Sequence, residues 1–221
     1  MPLANRKRRQ DFERVGVIVA HPDDETLWAG GMILTHPKWQ CRVLALCRGN
    51  DPGRSYGFFK ALAYLGVTGR IADLDDGPEQ LPLGDAEVQE MILTLLGTEN
   101  EFDLLITHGP RGEYTRHRRH EETSKAVLAL WKAGGIQTGE LWRFAYEDGN
   151  KAYLPRAMDE AHIVLRLPYL IWQKKQRIIT QIYAFSPDSW EARTTPEVEA
   201  FWCFESPEKA EEWLQRKDKC P

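Results

Sequence analysis

Between Val15 and Ala20 the chain reads V-G-V-I-V-A, and it then stops at His21-Pro22-Asp23-Asp24-Glu25. A short apolar run rich in β-branched residues is the pattern of a strand buried on both faces, as in a parallel sheet covered by helices. Pro22 has no N–H to continue the ladder, and it biases His21 toward extended backbone. The polar cluster therefore falls just past the carboxyl end of the strand, where open α/β sheets place their ligand sites. The helix macrodipole favours acidic residues at a helix start, which is sufficient for Asp23, Asp24 and Glu25. It does not account for His21, nor for crowding carboxylates onto one turn. A bound cation accounts for both, because imidazole nitrogen and carboxylate oxygen are ordinary zinc ligands.

Strand and helix alternate from there. Thr26 to Leu34 reads as a helix with Gly30-Gly31 inside it, and Cys41 to Cys47 as a second buried strand. The polar stretch from Arg48 to Arg54 then lies at the same sheet edge as His21. Phe58 to Leu65 is expected as a helix stopped at Gly66, Val67 to Leu74 as a third strand, and Asp85 to Leu96 as a helix stopped at Gly97. Phe102 to Thr107 gives a fourth strand, and the helix after it carries Thr123, Val127, Leu130 and Trp131 on one stripe. Leu141 to Tyr146 reads as a fifth strand, Glu147 to Glu160 as a long polar loop, Ala161 to Leu167 as a strand and Tyr169 to Tyr183 as a helix. Beyond Ser186, helical starts are expected at Thr195-Pro196-Glu197 and Ser206-Pro207-Glu208, the second capping a helix over Pro207 to Lys217. The alternation predicts an α/β, three-layer fold with a mostly parallel sheet. One domain over residues 1–221 is expected, with residues 1–12 a disordered basic tail and residues 186–221 a C-terminal extension packed on the domain.

Bulk properties exclude several classes. The net charge of −4 gives no overall basic field for nucleic acid. No apolar run approaches a membrane span, and no apolar segment follows Arg6-Lys7-Arg8-Arg9 to make a signal peptide. The four cysteines show no C-x-x-C spacing and read as reduced thiols of a cytoplasmic protein. Self-association stays open, since the eight tryptophans suit a core or an interface equally.

His117 and His120 sit three apart at the start of the helix after the fourth strand, so they share a face. In a doubly wound sheet the loops after the first and fourth strands can meet. His21, Asp24 and His120 then form a two-histidine, one-carboxylate site, the ligand count of catalytic zinc centres that keep a position for water. Asp23 would take the proton of that water, and His117 would donate to the oxyanion or to the leaving amine. On spacing alone, H-x-x-H flanked by Arg116, Arg118 and Arg119 suits a solvated basic face equally well.

With A-H-P-D-D-E at Ala20 to Glu25, G-E-Y at Gly112 to Tyr114 and H-x-x-H at His117 to His120, the chain resembles the zinc-dependent N-acetylglucosamine deacetylases, the PIG-L or LmbE-like family. Weaker likeness runs through Leu65-Gly66-Val67, Asp76-Gly77 and Thr107-His108, over most of Val15 to Val127. The resemblance implies a Rossmann-like fold, zinc on His21, Asp24 and His120, Asp23 as general base and His117 assisting the oxyanion or the amine. It implies removal of an N-acetyl group from a small amino sugar or its conjugate. Departures are the arginines between the paired histidines, one residue inserted between Tyr114 and His117, and no histidine or Ser-Gln pair around Gln181 to Ser186. Another divalent metal fits the same ligands. Arg48, Asn50, Arg54 and Asp76 lie on loops at the active edge and are the candidates for substrate contacts. His108 is placed behind the metal ligands, and His36 and His162 are taken as structural. The competing readings are an amidase for a thiol conjugate or natural product, and a metal- or carbohydrate-binding module without turnover. The presence of Asp23 beside the ligands speaks against the latter. A dinucleotide enzyme is discounted, because no G-x-G-x-x-G follows the first strand.

Overall fold

The computed structural model describes residues 12–217. Its elements run β1 (Arg14–Val19), α1 (Asp24–Thr35), β2 (Gln40–Cys47), α2 (Pro52–Leu65), β3 (Thr68–Leu74), α3 (Asp85–Leu96), β4 (Glu101–Thr107), α4 (Arg118–Ala133) and β5 (Gln137–Phe144). There follow β6 (Tyr146–Glu147), β7 (Arg156–Ala157), β8 (Ile163–Arg166), α5 (Tyr169–Arg177), a π-helical turn (Ile178–Ile182), α6 (Trp190–Thr194), β9 (Val198–Phe204) and α7 (Pro207–Lys217). A seven-stranded sheet has the order β3-β2-β1-β4-β5-β9-β8. The pairs from β3 through β5 are parallel, and β9 runs antiparallel to both β5 and β8. The order reverses direction between β1 and β4. The loops after those two strands therefore open a crevice at the carboxyl edge, which is where the sheet's geometry puts a ligand.

Alternation along β1 explains its wholly apolar sequence. Val15, Val17 and Val19 pack with Leu27, Trp28 and Met32 of α1 and Phe58 of α2. Ile18 faces the opposite layer, with Ile92 of α3 and Val127 and Leu130 of α4. A Cβ on Gly16 would stand 2.7 Å from Leu105 Cδ1, so the smallest residue sits where β4 presses against β1. No helix of the described residues is long and apolar enough to cross a membrane.

Several boundaries differ from the sequence expectation. α2 begins at Pro52, well before Phe58, because the Asp51 side chain accepts from the Gly53 and Arg54 N–H groups and Pro52 takes the first helical position. Arg54 is thus on a helix, not in a loop. The stretch expected as a long polar loop, residues 147–160, carries one strand of the small β6–β7 pair and joins the other. The helix from Tyr169 widens into a π turn after Arg177. Thr195-Pro196-Glu197 does not open a helix. The run V-E-A-F-W-C-F that follows becomes β9 and lies inside the sheet between β5 and β8, so residues beyond Ser186 build the sheet as well as packing on it. The basic tail expected over residues 1–12 lies outside the described residues except for Phe12, which is buried with its ring edge on Trp142.

Candidate metal centre

β1 ends at Val19, and Asp23 then takes a left-handed backbone (φ 109°) that lets α1 start immediately. Asp23 occupies the cap position without capping the helix, so its carboxylate is turned away from the helix N–H groups. The next residue, Asp24, folds back under His21. Its Oδ2 accepts from the His21 N–H at 2.8 Å and lies 3.2 Å from His21 Nδ1, while its Oδ1 accepts from Trp28 Nε1 at 3.0 Å. His120, on the first turn of α4, brings Nε2 to 3.4 Å from the same Asp24 oxygen and 3.3 Å from His21 Nδ1. Three ligand-type atoms from two separated loops thus form a triangle with edges of 3.2, 3.3 and 3.4 Å. The ligands of tetrahedral zinc, at bond lengths near 2.0–2.2 Å, are separated by about 3.3–3.6 Å. The residues present fit the metal.

The support behind the triangle fits as well. Glu113 is fully buried, and its Oε2 accepts from His120 Nδ1 at 2.6 Å and from His108 Nδ1 at 2.8 Å. Its Oε1 accepts from the Gly109 N–H at 2.8 Å. Burial alone would raise this carboxyl, but the two imidazoles facing it hold it down at about 2. With Nδ1 of His120 committed to Glu113, its Nε2 lone pair is left for a metal, the usual carboxylate–histidine arrangement. His108 is different. Its Nε2 accepts from the Ala20 N–H at 2.9 Å, which uses the lone pair a metal would need. His108 therefore lies near Asp24 (3.5 Å) as a support and not as a ligand. Burial pushes the Asp24 carboxyl up, but His120 and His108 keep it well below the usual range.

Asp23 lies buried beside this triangle, one residue before Asp24. Its Oδ2 accepts from Arg54 Nη1 at 2.9 Å, and its N–H is held by Glu25 Oε2 at 3.0 Å. Burial and the neighbouring Asp24 charge push its carboxyl up to about 8, against the pull of Arg54. Arg54 is itself steadied over the Phe185 ring, 4.6 Å from its centroid. His117 stacks on His120 with centroids 4.5 Å apart and meets His21 edge-on at 4.6 Å, and its Nδ1 has no hydrogen-bond partner among the described residues. Burial, then the charges of His120 and His21, push His117 down to about 3.

The remaining sequence candidates divide. Asp76 is brought in: its Oδ1 lies 3.3 Å from His21 Nε2, and its other oxygen pairs with Arg48 at 2.6 Å. Arg48 and Asp76 thus sit together at the rim. Asn50 is turned elsewhere, its N–H and side-chain amide both on Asp73 at 2.9 and 2.6 Å. His36 stacks on Trp39 and His162 sits against Cys203, both away from the cluster. Glu113, Glu25 and Tyr183, whose OH donates to Glu25 at 2.9 Å, were not singled out as site residues by the sequence. Glu113 did lie within the quoted G-E-Y stretch.

A family model described as PIG-L, GlcNAc-PI de-N-acetylase, matches residues 16–131. Among solved structures, N,N'-diacetylchitobiose deacetylase from Pyrococcus horikoshii superposes with a TM-score of 0.67 at 16% identity, over 89% of this chain and 85% of that one. The 4-carboxy-2-hydroxymuconate hydratase of Pseudomonas putida KT2440 gives 0.62 at 14% identity, over 86% and 95%. The zinc-inhibited form of teicoplanin deacetylase gives 0.60 at 14%, over 87% and 98%. At these identities the likeness is one of fold, and the fold serves a hydratase as well as deacetylases. No curated protein sequence matches the chain.

Proposed function

Because this chain belongs to the PIG-L family, whose model spans residues 16–131, we propose that it is a metal-dependent amide hydrolase that removes an N-acetyl or other N-acyl group from an amino sugar or its conjugate. The observation that carries this reading is the triangle of His21 Nδ1, Asp24 Oδ2 and His120 Nε2, with a second carboxylate, that of Asp23, beside it on Arg54. A divalent cation such as zinc, held by His21, Asp24 and His120, would lower the pKa of water toward neutrality and polarise an amide carbonyl. Asp23 is the base, placed one residue from a metal ligand and held by Arg54. Arg54 holds that carboxylate in place and keeps it from swinging onto the helix end. His117, whose Nδ1 has no hydrogen-bond partner among the described residues, donates an N–H to the developing oxyanion and orients the departing amine. Arg48 and Asp76 offer a cation and a carboxylate at the rim for the hydroxyls of a sugar.

A panel of N-acetylated amines tests the proposal: N-acetylglucosamine, N,N'-diacetylchitobiose, an N-acetylated thiol conjugate and a lipoglycopeptide-type amide. Zinc-loaded protein should release free amine from a sugar member. Asp23→Asn should retain the metal and lose roughly 10²–10⁴-fold in rate. Release from the thiol or lipoglycopeptide amide alone would move the substrate class while keeping the chemistry. Metal bound with no amine released from any member, or an Asp23→Asn variant at full rate, would overturn it.

A further inference from the structure

Asp23 stands at φ 109° and ψ −29°, a left-handed backbone that residues with a Cβ seldom adopt. A residue stays in such a conformation when its surroundings hold it there. Its carbonyl accepts from the Thr26 and Leu27 N–H groups at 2.9 and 2.8 Å, as at any helix start. Its own N–H is met by a side chain. Glu25, on the same first turn, reaches back so that Oε2 accepts this N–H at 3.0 Å. The contact is the reciprocal half of a capping box, made from the second helical position and not the third. Glu25 is fully buried, and its Oε1 accepts from the Thr26 hydroxyl at 2.6 Å and the Tyr183 hydroxyl at 2.9 Å. All of these donors are neutral. A buried carboxylate next to two others, satisfied by neutral donors, is costly as packing alone.

Tyr183 arrives from a distant part of the chain. It follows the π turn after α5, and its N–H donates to the Ile178 carbonyl at 2.9 Å. Single π turns recur at functional sites. Ala184 comes next at φ 59°, another left-handed residue that is not glycine, and the Phe185 ring then lies 4.6 Å from the Arg54 guanidinium. Arg54 is the group that holds the Asp23 carboxylate, at 2.9 Å. Gly57, three residues on from Arg54 in α2, makes room for the other ring: a Cβ there would stand 2.8 Å from Tyr183 Cδ1. The two rings flanking Ala184 thus back the two side chains that hold Asp23, one at its N–H and one at its carboxylate.

We propose that Glu25 and the Tyr183-Ala184-Phe185 turn are positioning residues for Asp23: Glu25 fixes its main chain, Arg54 fixes its carboxylate, and the turn supports both. The inference rests on the amide-hydrolase reading, in which Asp23 is the base. Glu25 and Tyr183 act through Asp23, so their effect falls on the chemical step and not on metal or substrate binding. The turn lies where the chain departs from its relatives, in the stretch without a histidine or a Ser-Gln pair.

Kinetics are read on the member of the panel above that zinc-loaded wild type hydrolyses fastest. Glu25→Met keeps the length of the side chain and removes the acceptors. It should lower kcat about 10–100-fold, the loss expected of a base displaced by about 1 Å or less, with KM unchanged and the metal retained. Glu25→Gln should recover most of that loss. Its oxygen still accepts from Asp23, and its amide donates to the two hydroxyls, which accept as well as donate. Tyr183→Phe should lower kcat about three- to tenfold, for one hydrogen bond. In an Asp23→Asn background Glu25→Met should cost nothing further, since the group it positions is gone. Amide hydrogen exchange of the zinc-loaded protein, followed by NMR, reads the main chain without turnover. The Asp23 N–H should exchange about tenfold or more faster in Glu25→Met, while the amides of β1 keep the wild-type rate. If wild type hydrolyses no amide, the enzyme reading fails, and exchange alone decides whether Glu25 holds Asp23. Should Glu25→Met not fold, Tyr183→Phe in both backgrounds gives the same comparison. Unchanged exchange at Asp23, losses that add to that of Asp23→Asn, a Gln variant no better than Met, an effect on KM alone, or loss of the metal would overturn the inference.

Discussion

Glu199→Gln is the substitution whose cost follows most directly from the structure. Lys175 and Glu199 are both fully buried. The ammonium donates to Glu199 Oε1 at 2.7 Å and to the carbonyls of Leu27 and Pro196 at 3.1 Å each. The carboxylate in turn accepts from the N–H groups of Gly31 and Met32, both at 2.7 Å. Gly31 and Leu27 are four apart in α1, so the ion pair serves a donor and an acceptor that a regular helix would join to each other. Gln keeps the size and one acceptor but removes the charge, leaving the Lys175 ammonium buried with carbonyl partners only. Stranding one member of a buried pair costs about 3–5 kcal/mol. In a chain of this size 1 kcal/mol moves the melting temperature by about 2–4 °C, so the expected fall is roughly 6–20 °C. Adding Lys175→Met removes the stranded charge while retaining the stem volume, and the double variant should recover more than half of the loss. Urea unfolding of chelator-treated protein measures this without a contribution from metal binding. A Glu199→Gln variant less than about 1 kcal/mol below wild type would refute the reasoning. A double variant no better than the single one would refute it too.

Glu113→Gln should lower zinc affinity about 10–100-fold by chelator competition, since a carboxamide cannot hold both imidazole N–H groups as one carboxylate oxygen does. Cys41, whose thiol burial pushes up to about 12, and Cys47, raised further by the same cause, should resist thiol reagents in the folded protein. Their labelling should track unfolding in urea, and rapid labelling of either in native buffer would show that the sheet core is open. Burial draws Lys175 below its ordinary value of 10.5, so as pH rises toward that value the unfolded chain holds a proton the folded chain has released. Wild type should therefore gain stability relative to Lys175→Met across that alkaline window; a difference flat in pH would show the ammonium to be no harder to bury than to expose.

The strand–turn at Val15 to Glu25 and the paired histidines were readable because each is local: an apolar run, a proline, a three-residue spacing. Their meeting was readable from the alternation of strand and helix, which makes the β1–β4 junction the reversal point of the sheet. What escaped was what depends on distance along the chain. Nothing near Glu199 indicates that its carboxylate lies on the amides of Gly31 and Met32. Thr195-Pro196-Glu197 carries the local signature of a helix start, and pairing of Val198–Phe204 with two other strands overrides it. Gly53 and Gly57 hid the first turns of α2 by their poor propensity, although Asp51-Pro52 signalled them. Asn50 was placed at the site by its loop, but the neighbouring Asp73 at the end of β3 claims its amide. Glu113 was visible as a letter of a motif; its role appeared only once two imidazoles were seen on a single oxygen.

The insertion of β9 between β5 and β8 has a consequence for the life of the chain during synthesis. The first five strands and α1 to α4 leave the ribosome in order, each able to pack on its predecessor. The helix that carries Asp24 is joined in its middle to Glu199, and that residue is translated after both histidine loops and the first eight strands. A nascent chain halted before it would hold both histidine loops yet lack the strand that completes the sheet, with Lys175 waiting uncompensated. Its half-built edge at β5 would be exposed to other unfinished chains, so translation that stalls over the last strands is the step at which chaperones matter most.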